Sequence, residues 1–531
     1  MTELENPLVS GRDLPWLLNH WATKTPSKPF LIWAPHSDEG ISRSADKQFT
    51  YAEFELAVRQ VAGGLAARGI KRDQRVLIHM ENCPELLIAW FACGYLGATA
   101  VLTNTRSTQP EMDYFAAHVE AAAAITQPQF TALLLSESME LQFIAVTKTN
   151  AGELNDTANL ADLDKLLPFD DLFDTRPMDY RPDPTPQLDL SIQFTSGTTA
   201  RPKAVVWTHA NLIFAAQQGA RNYRLRQEDI CQLFLPLFHM YALSPTLMSS
   251  LWVGSTVILQ RRFSVSNFWS PAIHYRASWC AQIPFTCQAL EKKPVPQHYF
   301  RFWTTAIAWP EMEARFDVKT LGCWGMTETV ACPIVTDIDH GAPHQCLGRV
   351  TPGYEIEVRH ADGTVCERGE CGRLYLRGIK GVTIFKEYLH DSRANQESFD
   401  ADDWFDTGDL VCIDESGDIY FNGREKDMIK VGGENVSPLE VEAVIMETGW
   451  IKECAVVGQK HSMLEEVPVV FVIPKDEAPR NLEDKLVAHC QQQLADFKVI
   501  RQVYCLEEFP RSVNYKIAKP ALRQGLPVLE D

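Results

Sequence analysis

The stretch Leu188-Asp-Leu-Ser-Ile-Gln-Phe-Thr-Ser-Gly-Thr-Thr-Ala-Arg-Pro-Lys-Ala-Val-Val-Trp207 sets two apolar runs, Leu188–Phe194 and Ala204–Trp207, around a loop rich in hydroxyl side chains. The runs read as strands, and Thr208 is placed to cap a helix over Ala210–Gln218. Within the loop, backbone N–H groups at Gly197, with the hydroxyls of Thr195, Ser196, Thr198 and Thr199 beside them, make a concave anion site. Arg201 and Lys203 add positive charge. A Walker A loop would need Gly, four residues, then Gly-Lys-Ser/Thr. From Gly197 the chain offers Pro202, Lys203 and Ala204 instead, so that pattern fails. A polar surface turn has the same composition, and the segment alone leaves both readings open.

Upstream, helical stretches such as Tyr51–Arg68 and Pro84–Tyr95 alternate with short strands such as Arg75–His79 and Ala98–Leu102, which predicts α/β layers with largely parallel strands. The uncharged run Leu86–Leu102 is short for a membrane span and carries Gly94 and Gly97 near its middle. It reads as a buried helix turning into a strand. Arg176–Pro186 is a Pro-rich connector. From Tyr354 to Tyr420, turn signals at Ala361-Asp-Gly363, Arg368-Gly369 and Glu415-Ser-Gly417 separate short strands and predict a β-rich subdomain. Beyond Arg424 come a Gly-Gly turn at 432–433, a helix near Pro438–Thr448, and elements running to Lys516, enough for a separate lid-like domain.

A chain of 531 residues exceeds what one core serves and suggests roughly three or four domain-sized units. Apolar residues at 45% and charged residues at 22% exclude a disordered or fibrous protein. Lys plus Arg number 50 against 69 Asp plus Glu, a balance of −19. That surplus argues against nucleic acid or an anionic membrane as the main partner, and leaves room for a small anion in a locally basic site. The 14 cysteines form no Cys-x-x-Cys pair, and Met1-Thr-Glu-Leu-Glu-Asn does not resemble a secretory signal. Scattered thiols of this kind fit a reducing, cytoplasmic setting.

The segment Phe194-Thr-Ser-Gly-Thr-Thr-Ala-Arg-Pro-Lys-Ala-Val-Val-Trp-Thr-His-Ala-Asn211 resembles the phosphate loop of the adenylate-forming superfamily, which comprises acyl-CoA synthetases, peptide-synthetase adenylation domains and beetle luciferases. Trp324-Gly-Met-Thr-Glu-Thr329, Phe405-Asp-Thr-Gly-Asp409, Gly423–Glu442 and Pro510-Arg-Ser-Val-Asn-Tyr-Lys516 follow in the family's order. The resemblance implies an α/β fold: a large multi-layer N-terminal AMP-binding and acyl-binding domain, residues 1–425, with a β-rich subdomain, and a small mobile α+β C-terminal lid, residues 426–531. It implies two displacements. A carboxylate attacks the α-phosphorus of ATP to give an acyl-adenylate and pyrophosphate, and the thiol of CoA then displaces AMP. Charge neutralisation and in-line placement supply most of the catalysis in the first step.

By the same resemblance, Thr195, Ser196, Gly197, Thr198, Thr199 and Lys203 hold the β- and γ-phosphates. Thr327 contacts the α-phosphate and Glu328 is the Mg²⁺ ligand, a role that suits a carboxylate. Trp324 packs on adenine, Asp409 accepts from the ribose hydroxyls, and Arg424 reaches the ribose and phosphate side. Lys516 serves adenylation, Lys426 is the hinge, Lys430 serves thioester formation, and Gly432 and Gly433 shape the pantetheine channel. Without the motifs, Trp324 would read as a core residue, Asp409 as a turn residue and the lysines as solvated surface.

The chain departs from the family's glycines at Ala200, Ala204 and Tyr515, and Thr304-Thr-Ala-Ile-Ala-Trp-Pro310 replaces the usual adenine turn. An Ala200 or Tyr515 forced to positive φ would carry a steric cost. Ile384-Phe-Lys-Glu-Tyr388, Met428-Ile-Lys430 and Gly432-Gly-Glu-Asn-Val-Ser437 resemble bacterial crotonobetaine/carnitine–CoA ligases. The expected acid is then a small betaine-like or other short polar carboxylate. Trp207, Tyr241, Trp303 and Trp309 are candidates for a quaternary-ammonium cage, and core packing is the competing reading for each. A luciferase-like oxygenase and a degenerate nucleotide-binding protein of the same fold are the alternative functions. No integral membrane segment is expected, and the oligomeric state is open.

Overall fold

Pro84 opens a helix at the first turn, where its missing N–H is no loss, and Gly97 closes that helix at φ 81°, a left-handed conformation that spares a side chain. The helix Pro84–Leu96 is buried on every side, and the strand Thr99–Leu102 follows it. The uncharged run is therefore core, as its sequence predicts. Among the described residues no helix is long and apolar enough to cross a membrane. The computed structural model describes residues 9, 11–35, 46–154, 165–173, 176–180, 183–195, 202–424, 427–431, 434–494, 496–511 and 516–529.

The described residues of Met1–Glu355 and Arg377–Trp404 form one compact unit, and those of Ile356–Leu376 and Phe405–Asp531 a second. In the first unit, one sheet runs in the order 387–388, 203–208, 189–195, 99–102, 75–79, 121–126, 144–146, 166–168. Its strands from 189–195 to 166–168 are parallel, and Lys203–Thr208 lies antiparallel to both of its neighbours. A second sheet continues in parallel from 319–324 through 302–305, 279–281, 230–233 and 256–259 to 29–33. Largely parallel α/β layering is thus the observed architecture. Thr208 caps the helix His209–Asn222, its hydroxyl accepting from Asn211 N–H, and this helix is four residues longer at its C-terminus than the sequence pattern predicts.

The second unit includes the antiparallel strands Cys371–Arg377, Phe405–Ile413 and Ile419–Arg424. Cys371 and Cys412 oppose each other in that ladder and are joined as a disulfide, which corrects the expectation of free thiols for this pair. Cross-strand pairing brings together two residues that sequence separation keeps apart. Further on, the hairpin Ile451–His461 and Glu465–Pro474 is covered on both faces. Strand alternation sends Ala455 and Val457 to one cluster with Phe509 and Leu522, and Val456, Val470 and Val472 to another with Ile445 and Leu486. Each valine, isoleucine or leucine among them contributes about 1.5–3 kcal/mol by leaving water. The helix Lys519–Arg523, which supplies Leu522, lies beyond the end at Lys516 that the sequence suggests.

Candidate active site

Thr195 and Lys203 are register partners at the base of the hydroxyl-rich loop, and the Thr195 hydroxyl approaches the Lys203 carbonyl at 3.5 Å. Ser196, Gly197, Thr198, Thr199, Ala200 and Arg201 lie outside the described residues. Pro202, at the loop's exit, accepts at its carbonyl from the Tyr114 hydroxyl, 3.0 Å away. Lys203 extends from the strand so that its ammonium stands 4.4 Å from the centre of the Tyr388 ring. Ala204 continues the same strand opposite Phe194, fully extended and buried, so alanine meets no backbone strain where the family carries glycine.

Lys319–Trp324 ends in the tight turn Thr327–Thr329. Met326 N–H donates to the Thr329 hydroxyl at 2.9 Å, and Phe385 N–H donates to the Glu328 carbonyl at 2.8 Å. The Thr327 carbonyl accepts from the indole N–H of Trp207 at 2.9 Å, while the Tyr354 hydroxyl lies 2.9 Å from the Thr329 carbonyl. Val330, which follows, has φ 60°, uncommon for a β-branched residue and fixed here by that dense bonding. The turn buries the Glu328 carboxylate, whose Oε1 accepts from the Tyr388 hydroxyl at 2.9 Å. Burial and then the Glu328 charge push the Tyr388 hydroxyl above the ordinary tyrosine range, so it stays a proton donor. Lys203, Tyr388 and Glu328 thus form one constellation.

Trp324 is mostly buried at its strand end, and Thr327 is half-buried. Of the aromatics proposed for an acyl cage, Trp207 and Trp303 are both 0% exposed, so core packing is their role in this structure. Tyr241 and Trp309 are half-buried, and the Tyr241 hydroxyl donates to Thr304 at 2.8 Å. The segment replacing the adenine turn is fixed to the start of the strand Cys346–Val350 by Ala308 N–H to Cys346 carbonyl, 2.8 Å, and Gln345 N–H to Ala308 carbonyl, 3.0 Å.

In the second unit, Asp409 and Arg424 face each other across adjacent strands, with Arg424 Nε 2.8 Å from Asp409 Oδ1. Asp409 is 2% exposed, and its backbone N–H donates to the Thr407 hydroxyl at 3.1 Å. Lys516 belongs to the same electrostatic group. The residue as a whole is exposed. Loss of water there holds Lys516 below the ordinary lysine value of 10.5, Arg424 adds to the effect, and Asp409 opposes it. Lys430 stands exposed on the strand Ile429–Val431, its backbone N–H donating to the Glu466 carboxylate at 3.2 Å. Lys426, Gly432, Gly433 and Tyr515 lie outside the described residues.

Tyr388 was not among the site residues expected from sequence. Its segment carries only a branch resemblance, and nothing local signals a hydrogen bond to a glutamate 60 residues earlier. Trp207, a candidate for an acyl cage by its sequence, links instead to the Thr327 turn.

The family model for the AMP-binding enzyme matches residues 18–389, and that for the AMP-binding enzyme C-terminal domain matches residues 440–516. The chain belongs to the family of AMP-binding enzymes. Within it, the chain is an AMP-forming acyl-CoA synthetase, an acid–thiol ligase. A crotonobetaine/carnitine–CoA ligase of Citrobacter koseri is 31% identical over 97% of this chain and 100% of its own. That of Shigella flexneri is 32% identical over 90% and 93%. Among solved structures, an anthranilate CoA ligase in complex with anthranoyl-AMP superimposes with a TM-score of 0.85 at 24% identity, covering 99% of each chain. A benzoate CoA ligase from Burkholderia xenovorans gives 0.83 at 25% identity, covering 97% and 100%.

Proposed function

We propose that this synthetase activates a small, betaine-like carboxylic acid with ATP and passes the acyl group to CoA. The observation that carries the assignment of roles is the buried Glu328 carboxylate, fixed by the Tyr388 hydroxyl, with the Lys203 ammonium over the same ring. A buried, positioned carboxylate is the donor type that Mg²⁺ accepts, so Glu328 would hold the ion and Tyr388 would orient Glu328. When bound, Mg²⁺ supplies charge neutralisation at the phosphates.

Thr195, Ser196, Gly197, Thr198, Thr199 and Lys203 bind the outer phosphates, and Thr327 binds the α-phosphate. Trp324 packs on adenine. Asp409 accepts from the ribose hydroxyls, with Arg424 setting its orientation. In the first step the acid's carboxylate oxygen bonds to the α-phosphorus and the bond to pyrophosphate breaks. Lys516 offsets the charge that builds there. In the second step the CoA sulfur bonds to the acyl carbon, the bond to AMP breaks, and the thiol proton passes to solvent. Lys430, Gly432 and Gly433 serve this step after rotation of the lid about Lys426.

Support for the acid comes from the near full-length similarity to crotonobetaine/carnitine–CoA ligases; Tyr241 and Trp309, half-buried and packed against the core, are the two aromatics left for a quaternary-ammonium contact. The test is pyrophosphate release across a panel of trimethylammonium, hydroxylated and aliphatic acids, with and without CoA. The highest kcat/KM is expected with a trimethylammonium acid. Turnover of aliphatic acids with none of betaines would reject the assignment.

A further inference from the structure

The second unit carries a group of metal-ligating side chains that the nucleotide chemistry does not use. His360 and Cys366 stand at the two ends of a short hairpin. His360 N–H donates to the Thr364 carbonyl at 2.9 Å, Cys366 N–H donates to the Val358 carbonyl at 2.8 Å, and Arg359 and Val365 form a bridge between the arms. Asp362 secures the tip by accepting from Thr364 N–H at 3.0 Å and from its hydroxyl at 2.6 Å. The next turn brings in Glu370, whose Oε2 accepts from Glu367 N–H at 2.8 Å and lies 3.0 Å from His360 Nε2. One ligand atom from each of His360, Cys366 and Glu370 falls within 4.8 Å of the others. Glycine at 372 leaves the thiol its space, since a Cβ there would stand 2.6 Å from Cys366 Sγ.

We propose that His360, Cys366 and Glu370 form a binding site for a thiophilic divalent cation of the zinc or cobalt(II) kind. Imidazole nitrogen, thiolate sulfur and carboxylate oxygen are the three ligand types zinc combines, with water in the fourth tetrahedral position. A thiolate ligand disfavours Mg²⁺ and Ca²⁺, which take oxygen. Backbone hydrogen bonds fix the hairpin ends and the glutamate turn, so little ordering is left for the cation to impose. On binding, the Cys366 thiol releases its proton to solvent. His360 ligates through Nε2 as the neutral tautomer with its proton on Nδ1, and the cation takes the place of the hydrogen bond to Glu370. The bound ion clips the hairpin to the turn that leads into the strand Cys371–Arg377. The site stands independently of the roles assigned above to the nucleotide-handling residues.

Cobalt(II) titration of the full chain tests it. Binding should bring in a thiolate-to-cobalt charge-transfer band in the near ultraviolet, and zinc should displace it. Cys366→Ser should abolish the band, and His360→Ala and Glu370→Gln should each weaken zinc binding by about tenfold or more, since even outer partners of a metal ligand matter that much. Cys505→Ser, at the exposed thiol, should leave the band intact. Pyrophosphate release by each variant reports that it is folded. No charge-transfer band in the parent chain, or a band that survives in folded Cys366→Ser, would overturn the proposal.

Discussion

Tyr388 donates its hydroxyl to Glu328 across 2.9 Å, and the same ring carries the Lys203 ammonium 4.4 Å from its centre. One aromatic side chain therefore touches both the turn proposed to hold the metal and the lysine of the phosphate loop. Tyr388→Phe keeps the ring and removes only the hydrogen bond to a charged group, worth about 1.5–3 kcal/mol. The Mg²⁺ concentration for half-maximal pyrophosphate release should rise by roughly tenfold or more, with Mn²⁺ binding by electron paramagnetic resonance weakened in parallel. An unchanged metal requirement would show that Tyr388 only packs.

Asp409 and Arg424 act on Lys516 with opposite sign, so they set its titration in opposite directions. The ammonium neutralises charge only while protonated, and its pKa lies below 10.5. Adenylation should therefore fall as pH rises through that lowered value. Arg424→Gln removes a repelling charge and should move the alkaline limb to higher pH. Asp409→Asn removes an attracting charge and should move it to lower pH. A pH profile of pyrophosphate release that is identical in all three proteins would separate Lys516 from this pair.

Asp409→Asn has a second expected effect, because the carboxylate is proposed to accept from the ribose. Loss of a charged acceptor costs about 1.5–3 kcal/mol, which corresponds to a rise in the KM for ATP of roughly tenfold to a hundredfold. Saturation kinetics in ATP at fixed acid and CoA check this. An unaltered KM would remove Asp409 from the nucleotide site.

His79 predicts a pH dependence of stability with no link to catalysis. It is fully buried, its Nδ1 lies 2.8 Å from the Thr103 hydroxyl, and the edge of Phe130 packs against it. Burial pulls its pKa down from 6.5 to about 4. The unfolded chain binds the proton first as pH falls, so the native state loses stability from about pH 6.5 down to about 4, by roughly 3 kcal/mol in all. Thermal unfolding midpoints should drop more steeply over this window for the parent than for His79→Gln. Parallel curves would contradict the shift.

Much of this was legible in the chain because it rests on local chemistry. The alternation of apolar runs predicts parallel layers, and Gly97 marks the helix end that turns an apparent membrane span into core. Asp409 and Arg424, recognisable from their motifs, do pair, because their strands are hairpin neighbours. What stayed hidden depends on long-range packing. The Tyr388–Glu328 hydrogen bond and the Cys371–Cys412 disulfide join residues whose spacing carries no periodic signal. Trp207 and Trp303 show the opposite limit: an aromatic has the same letter whether it lines a pocket or fills a core, and only burial separates the two.

The division of labour between two lysines is tested most directly by single-turnover kinetics on Lys516→Ala, with the two half-reactions measured apart. Adenylate formation from acid and ATP should fall by about a hundredfold to a thousandfold, the scale of losing one transition-state donor. Thioester formation from supplied acyl-adenylate and CoA should proceed at nearly the parent rate. An equal loss in both half-reactions would contradict the account.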